Sequence, residues 1–203
     1  MTVTYEDVVK ARQTQNKVIR KTNLEFSETF SKICGANVYL KNEYEQKTGS
    51  FKIRGAYSKI KSLTDSEKSK GVVAASAGNH SQGVAFASHI ENIPCTIVMP
   101  KTASPAKVSA TRGYGAKVVL EGMTYDESWA YAQKISTETN ATVCGVSSYP
   151  AWITATFSIK VFSYSFINAS FIILPHLLVL SLSSLLQQQT LWSYSLCTYR
   201  KVV

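Results

Sequence analysis

From Gly71 onward the chain alternates short apolar runs with helical stretches, and this alternation limits the fold more than any other feature of the sequence. The runs are Val72–Ala75, Cys95–Met99, Lys117–Leu120 and Ala141–Val146. Between them lie Gly83–Ile90, Pro105–Arg112 and Tyr125–Thr139, which read as helices. That order predicts an α/β layer built on a parallel sheet. Right-handed crossovers then bring the turn after the first run, Ser76–His80, to the carboxyl edge of the sheet, where such proteins bind ligands.

The turn itself reads Ser76-Ala77-Gly78-Asn79-His80. A strand, a polar glycine turn and a helix start together present backbone N–H groups to an anion. Asn79 and His80 add side-chain donors, although an ordinary connection capped by Asn79 would read the same way. A second stretch lies upstream, Gly49-Ser50-Phe51-Lys52-Ile53-Arg54-Gly55-Ala56. It places Lys52 at the mouth of a helix expected over Lys52–Leu63. The positive end of a helix dipole disfavours a charged amine, and a neutral amine is what imine chemistry with an aldehyde requires. A solvated lysine at a helix start would give the same pattern.

Before these stretches, Thr4-Tyr5-Glu6-Asp7 resembles a capping box opening a helix over Tyr5–Gln15. Thr22–Ser27 reads as a segment leading into a site, and Asn37–Asn42 as a strand with Val38 and Leu40 on one face. Thr64-Asp65-Ser66-Glu67 opens a further helical turn. The formal net charge is +9, which raises nucleic acid and acidic membranes as partners. Lys and Arg never run beyond two in a row, and no zinc-finger or RNP pattern occurs, so the charge reads as a solvated surface and no nucleic-acid partner is expected. Cys34, Cys95, Cys144 and Cys197 form no CxxC pair and read as reduced thiols, with no metal site. Glu6 and Asp7 interrupt any secretory signal, which predicts a cytoplasmic protein.

The composition changes near residue 147. No acidic residue follows Glu138, no glycine follows Gly145, and Val161–Tyr199 holds no Lys, Arg, Asp or Glu. Val161–Leu186 has 17 apolar residues in 26, long enough for a membrane span of roughly 20 residues. Six serines with Asn168, Pro175 and His176 argue against a span. The expected organisation is an α/β part over 1–146 and a divergent, serine-rich apolar tail over 147–203, read as a product of aberrant splicing or a frameshift.

The two site stretches resemble the fold type II pyridoxal-phosphate enzymes, in the threonine/serine dehydratase branch that also includes serine racemase. Further matching residues are Lys41-Asn42-Glu43, Gln46-Lys47-Thr48, Ile97-Val98-Met99-Pro100, Ala106-Lys107, Tyr114-Gly115-Ala116 and Tyr125-Asp126-Glu127. The likeness covers about residues 5 to 146 and stops there. Asn23 stands where the family usually has proline. The resemblance implies the parallel, three-layer fold of the tryptophan synthase β-like enzymes, with the C-terminal half missing or replaced.

It also implies the chemistry. Lys52 would hold pyridoxal 5'-phosphate as an imine and, once displaced, remove the substrate α-proton. Phe51 would pack near the cofactor ring and Asn79 would contact its hydroxyl. Ser76, Ala77, Asn79 and His80 would hold the substrate carboxylate. The racemase branch carries a serine acid/base where Ala77 stands, which favours β-elimination from threonine or serine, giving a 2-oxo acid and ammonia. Isoleucine biosynthesis and a homo-oligomer fit the resemblance too. A non-catalytic α/β fragment or interaction module is the competing expectation. The family's glycine-rich phosphate loop has no counterpart after Gly145, so low activity is expected. Val38–Lys41 would be left with an open strand edge.

Overall fold

A computed structural model describes residues 4–15, 17–145 and 177–181. These form two compact units. One carries α1 (Tyr5–Gln15), α3 (Lys52–Lys61), α4 (Asp65–Lys70), β3 (Val72–Ala75), α5 (Asn79–Ile90), β4 (Cys95–Met99), α6 (Pro105–Gly113), β5 (Lys117–Leu120), α7 (Tyr125–Thr139) and β6 (Thr142–Val143). The other carries β1 (Leu24–Phe26), α2 (Glu28–Cys34), β2 (Asn37–Lys41), a 3-10 turn over Glu43–Glu45, and β7 (Leu177–Ser181).

In the larger unit all neighbouring strands run parallel in the order β5-β4-β3-β6. β3 lies inside the sheet and every one of its residues is buried, as a strand covered on both faces must be. Side-chain alternation divides the core in two. Val72, Ala74, Ile97 and Met99 pack with Ile53, Tyr57 and Ile60 of α3, Val84 of α5 and Val108 of α6. Val73, Ala75 and Val98 face the other way, against Ala132, Trp129 and Ile135 of α7. Helices thus cover both faces of a parallel sheet, the expected three-layer arrangement.

Local signals set several boundaries. Thr4 and Asp7 exchange the expected capping bonds at the start of α1, and Thr64 with Glu67 forms a full capping box before α4. Gly71 ends α4 at φ +82°, where a Cβ would meet the Pro94 carbonyl oxygen at 2.7 Å. Only glycine allows that backbone to approach so closely that Val72 N–H reaches the same carbonyl at 2.8 Å.

Other boundaries differ from the sequence reading. α3 ends at Lys61 rather than Leu63, and β6 is only Thr142–Val143 within the expected Ala141–Val146, of which Val146 lies outside the described residues. α5 starts at Asn79, a full turn before Gly83, and Gly78 rather than Asn79 is its cap. The glycine read as a helix start is an internal residue, for a packing reason given below.

In the smaller unit β1 pairs antiparallel with β2. The Thr22–Ser27 segment thus supplies a strand, and Ser27 caps the unanticipated α2, which Gly35 closes at φ 64°. The open edge expected for Val38–Lys41 is not found. β7 lies parallel along β2, from Asn37 opposite Leu177 to Lys41 opposite Ser181, because an apolar strand satisfies the unpaired N–H and C=O groups of that edge. The remainder of the expected tail lies outside the described residues. Among the described residues no helix is long and apolar enough to cross a membrane.

Candidate active site

Lys52 is the first residue of α3, and its backbone rests on α5. A Cβ on Gly83 would stand 3.2 Å from the Lys52 carbonyl carbon and oxygen and from the Ile53 nitrogen. At the far ends of the helices, the Glu91 carboxylate accepts from Tyr57 Oη at 2.8 Å and from Lys61 Nζ at 2.8 Å. Contacts at both ends in the same sequence order mean that α3 and α5 run in the same direction. α5 starts four residues before Gly83, so its N-terminus projects about 6 Å beyond the start of α3.

Two helix N-termini therefore open toward the carboxyl end of β3, and no described side chain caps either of them. Their first-turn N–H groups and positive dipole ends favour an anion there. Side chains tilt toward a helix N-terminus, which directs Lys52 toward the turn Ser76–His80. Burial lowers the Lys52 pKa, and the dipole acts in the same direction. The ammonium nitrogen lies 5.2 Å from the centre of the Phe51 ring.

The turn is fixed by its own bonds. Ser76 N–H donates to the Val98 carbonyl at 3.1 Å, and Ser76 Oγ accepts from Gly78 N–H at 3.3 Å. His80 is 3% exposed and Nε2 lies 2.8 Å from the Cys144 carbonyl oxygen. A carbonyl only accepts, so Nε2 carries the hydrogen and Nδ1 is the acceptor nitrogen of the neutral ring. Burial pushes the His80 pKa down to about 4 despite that bond, and the Lys52 charge pushes the same way. His80 thus stays neutral at physiological pH. Asn79 accepts from Lys107 Nζ at 2.9 Å through Oδ1.

The fold therefore brings Lys52, Phe51, Ser76, Ala77, Asn79 and His80 to one edge of the larger unit. Three further features carried no role in the sequence reading. Lys107 belonged to the matching Ala106-Lys107 pair, but its reach to Asn79 depends on helix packing. Gly83 was read as a helix start, and its contact with the Lys52 backbone carried no signal. Thr48 and Ser50, at 5% and 0% exposure, have hydroxyl oxygens with no hydrogen-bond partner among the described residues. Small polar residues flanking a site lysine are the signal that could have drawn attention to them.

The family model described as "Pyridoxal-phosphate dependent enzyme" matches residues 16–159. The chain belongs to this family. An L-threonine ammonia-lyase of Thermotoga maritima is 50% identical over 139 residues, which are 68% of this chain and 35% of that enzyme. Among solved structures, the processed threonine deaminase isoform 2 of Solanum lycopersicum aligns with TM-score 0.72 and 34% identity, covering 81% of this chain and 48% of that one. Serine racemase of Dictyostelium discoideum aligns with TM-score 0.75 and 28% identity over 89% of this chain and 66% of that one. This pyridoxal-phosphate-dependent family member thus spans about a third of the length of the curated ammonia-lyase it matches.

Proposed function

We propose that the chain binds pyridoxal phosphate through Lys52 and serves the dehydration of threonine or serine to a 2-oxo acid and ammonia. The observation that carries this reading is the seat of Lys52 on Gly83, which holds a half-buried amine of lowered pKa beside the turn Ser76–His80. The residues fit the ring and aldehyde of the cofactor. The amine is predisposed to lose its proton, as imine formation requires, and an aromatic ring flanks it. Asn79 has Oδ1 engaged by Lys107, which leaves its amide hydrogens for an acceptor such as the ring hydroxyl.

When bound, pyridoxal phosphate supplies an electron sink at the substrate α-carbon. Lys52 Nζ would take the α-proton there, and the burial that lowers its pKa favours its basic form. Ser76, Asn79 and the first N–H groups of α5 hold the substrate carboxylate, and the positive helix end offsets its charge. His80 anchors the turn as a neutral ring and adds no charge to the site. Ala77 bears no exchangeable proton, so reprotonation from the opposite face has no donor at this position. That favours elimination over racemisation, and the likeness to an L-threonine ammonia-lyase supports threonine rather than serine as the substrate.

The phosphate end supports a second reading. Within these 203 residues no glycine follows Gly145, so the glycine-rich cradle of the resemblance has no material there. Charge-assisted bonds of about 1.5–3 kcal/mol each would be lost. On this reading residues 1–146 hold the cofactor covalently but weakly, and 147–203 add no phosphate site.

Borohydride reduction of protein mixed with pyridoxal phosphate, followed by peptide mass mapping, tests both. Label is expected on the Lys52 peptide and absent in Lys52→Ala, and the second reading adds that little 2-oxobutyrate forms from threonine. Equal labelling of both proteins would remove Lys52 from its role. Strong turnover by the parent chain, lost in Lys52→Ala, would overturn the second reading.

A further inference from the structure

We propose that Lys107 is a positioning residue that sets the Asn79 amide for the cofactor ring. This rests on the cofactor reading above and extends it to a residue from a different helix. Lys107 lies in the first turn of α6, and its Nζ donates to Asn79 Oδ1 at 2.9 Å in a partly buried setting. One turn along α6, Thr111 Oγ1 donates to Ser81 Oγ at 3.2 Å, with both residues fully buried. The two bonds are one turn apart on α6, and the second fixes α6 against α5 close to the point from which Lys107 reaches.

The chemistry of the donor decides the orientation of the amide. An ammonium has three donors and no acceptor, so it takes only the oxygen end of Asn79. Both Nδ2 hydrogens then face away from Lys107. Without the lysine the amide could turn over, since its two ends are nearly the same size. The bond to a cation also draws electron density toward Oδ1, which makes the Nδ2 hydrogens stronger donors. An acceptor oxygen that carries negative charge, as the ring hydroxyl does after ionisation, gains most from that arrangement. Lys107 thus acts through Asn79, the residue its Nζ bonds.

Three variants test this: Lys107→Met, Lys107→Arg and Asn79→Ala. In the cofactor-free protein, the Asn79 side-chain amide should give a dispersed, exchange-protected pair in 1H–15N spectra. That pair should move toward the solvent-exposed position in Lys107→Met and stay dispersed in Lys107→Arg. Capture of pyridoxal phosphate at Lys52 should weaken about tenfold in Lys107→Met, the worth of one charge-assisted bond. The loss should vanish in the Asn79→Ala background, and also with the 3-deoxy analogue that lacks the ring hydroxyl. An unchanged amide pair in Lys107→Met overturns the proposal. So does an equal loss of capture with both cofactor forms, which would mark Lys107 as merely structural. If the parent captures no cofactor at Lys52, the functional reading falls, while the amide spectra still decide whether Lys107 orients Asn79.

Discussion

Gly83 packs tightly against the Lys52 backbone: a Cβ there would stand 3.2 Å from the lysine carbonyl, closer than ordinary van der Waals contact. The neighbouring atoms are backbone, so they can give way only by moving the start of α3. Alanine gains about 1 kcal/mol over glycine inside a helix, whereas overfilling a packed contact costs about 1–3 kcal/mol. Gly83→Ala is therefore expected to lower stability by up to about 2 kcal/mol in urea unfolding and to slow cofactor capture at Lys52. A variant more stable than the parent, with unchanged capture, would show the contact to be loose.

His80 makes stability depend on pH with a definite sign. Its folded pKa of about 4 lies below the ordinary 6.5, so the unfolded chain binds the proton first as pH falls. The contribution is complete above pH 6.5 and lost between 6.5 and about 4. The full loss is about 3 kcal/mol at 1.36 kcal/mol per pH unit. Urea unfolding of His80→Gln at pH 7 and pH 4.5 should show a smaller drop than the parent; equal drops would place the acid sensitivity elsewhere.

Lys52 carries the same sign as His80, in a higher pH window. Burial lowers its folded pKa below 10.5, so at neutral pH the folded state bears the cost of a partly desolvated ammonium. Stability from this group rises as pH climbs through the folded pKa toward 10.5. Lys52→Met should raise the thermal midpoint at pH 7 while abolishing capture, and the gain should shrink as pH approaches 10. A lower midpoint at pH 7 would mean that contacts of the lysine outweigh its desolvation.

The far ends of α3 and α5 are held by Glu91. Tyr57 is buried, and its hydroxyl is pushed up to about 12, first by burial and then by the Glu91 carboxylate it bonds. Tyr57→Phe removes that bond and should cost about 1–2 kcal/mol in urea unfolding, the range for a bond to a charged acceptor in a partly wet site. The cost should disappear in a Glu91→Ala, Tyr57→Phe double mutant compared with Glu91→Ala alone, because alanine leaves no acceptor for the hydroxyl. An undiminished cost would assign the effect to packing of the ring.

Much of this fold was readable from local pattern. Val72–Ala75, Cys95–Met99 and Lys117–Leu120 stand as strands where the apolar runs place them, and α7 spans Tyr125–Thr139 as expected. α2 was missed because its seven residues bury no side chain, so no apolar stripe marks them. Its signals were the caps, Ser27 and Gly35. Gly83 misled because glycine carries two meanings, a break in a helix or a place where another backbone comes close, and sequence position cannot separate them.

The sequence by itself placed a lysine at one helix start and a polar glycine turn at another, and the family resemblance of the two stretches tied Lys52 and Ser76–His80 to one chemistry. Strand and helix periods likewise determined a parallel α/β layer. Only the tertiary structure decided how these parts meet. The parallel run of α3 and α5, the contact at Gly83, the bond from Lys107 to Asn79 and the strand Leu177–Ser181 beside β2 all join residues far apart in the chain. Such contacts arise from shape and hydrogen-bond demand across a packed core, and no local pattern encodes them.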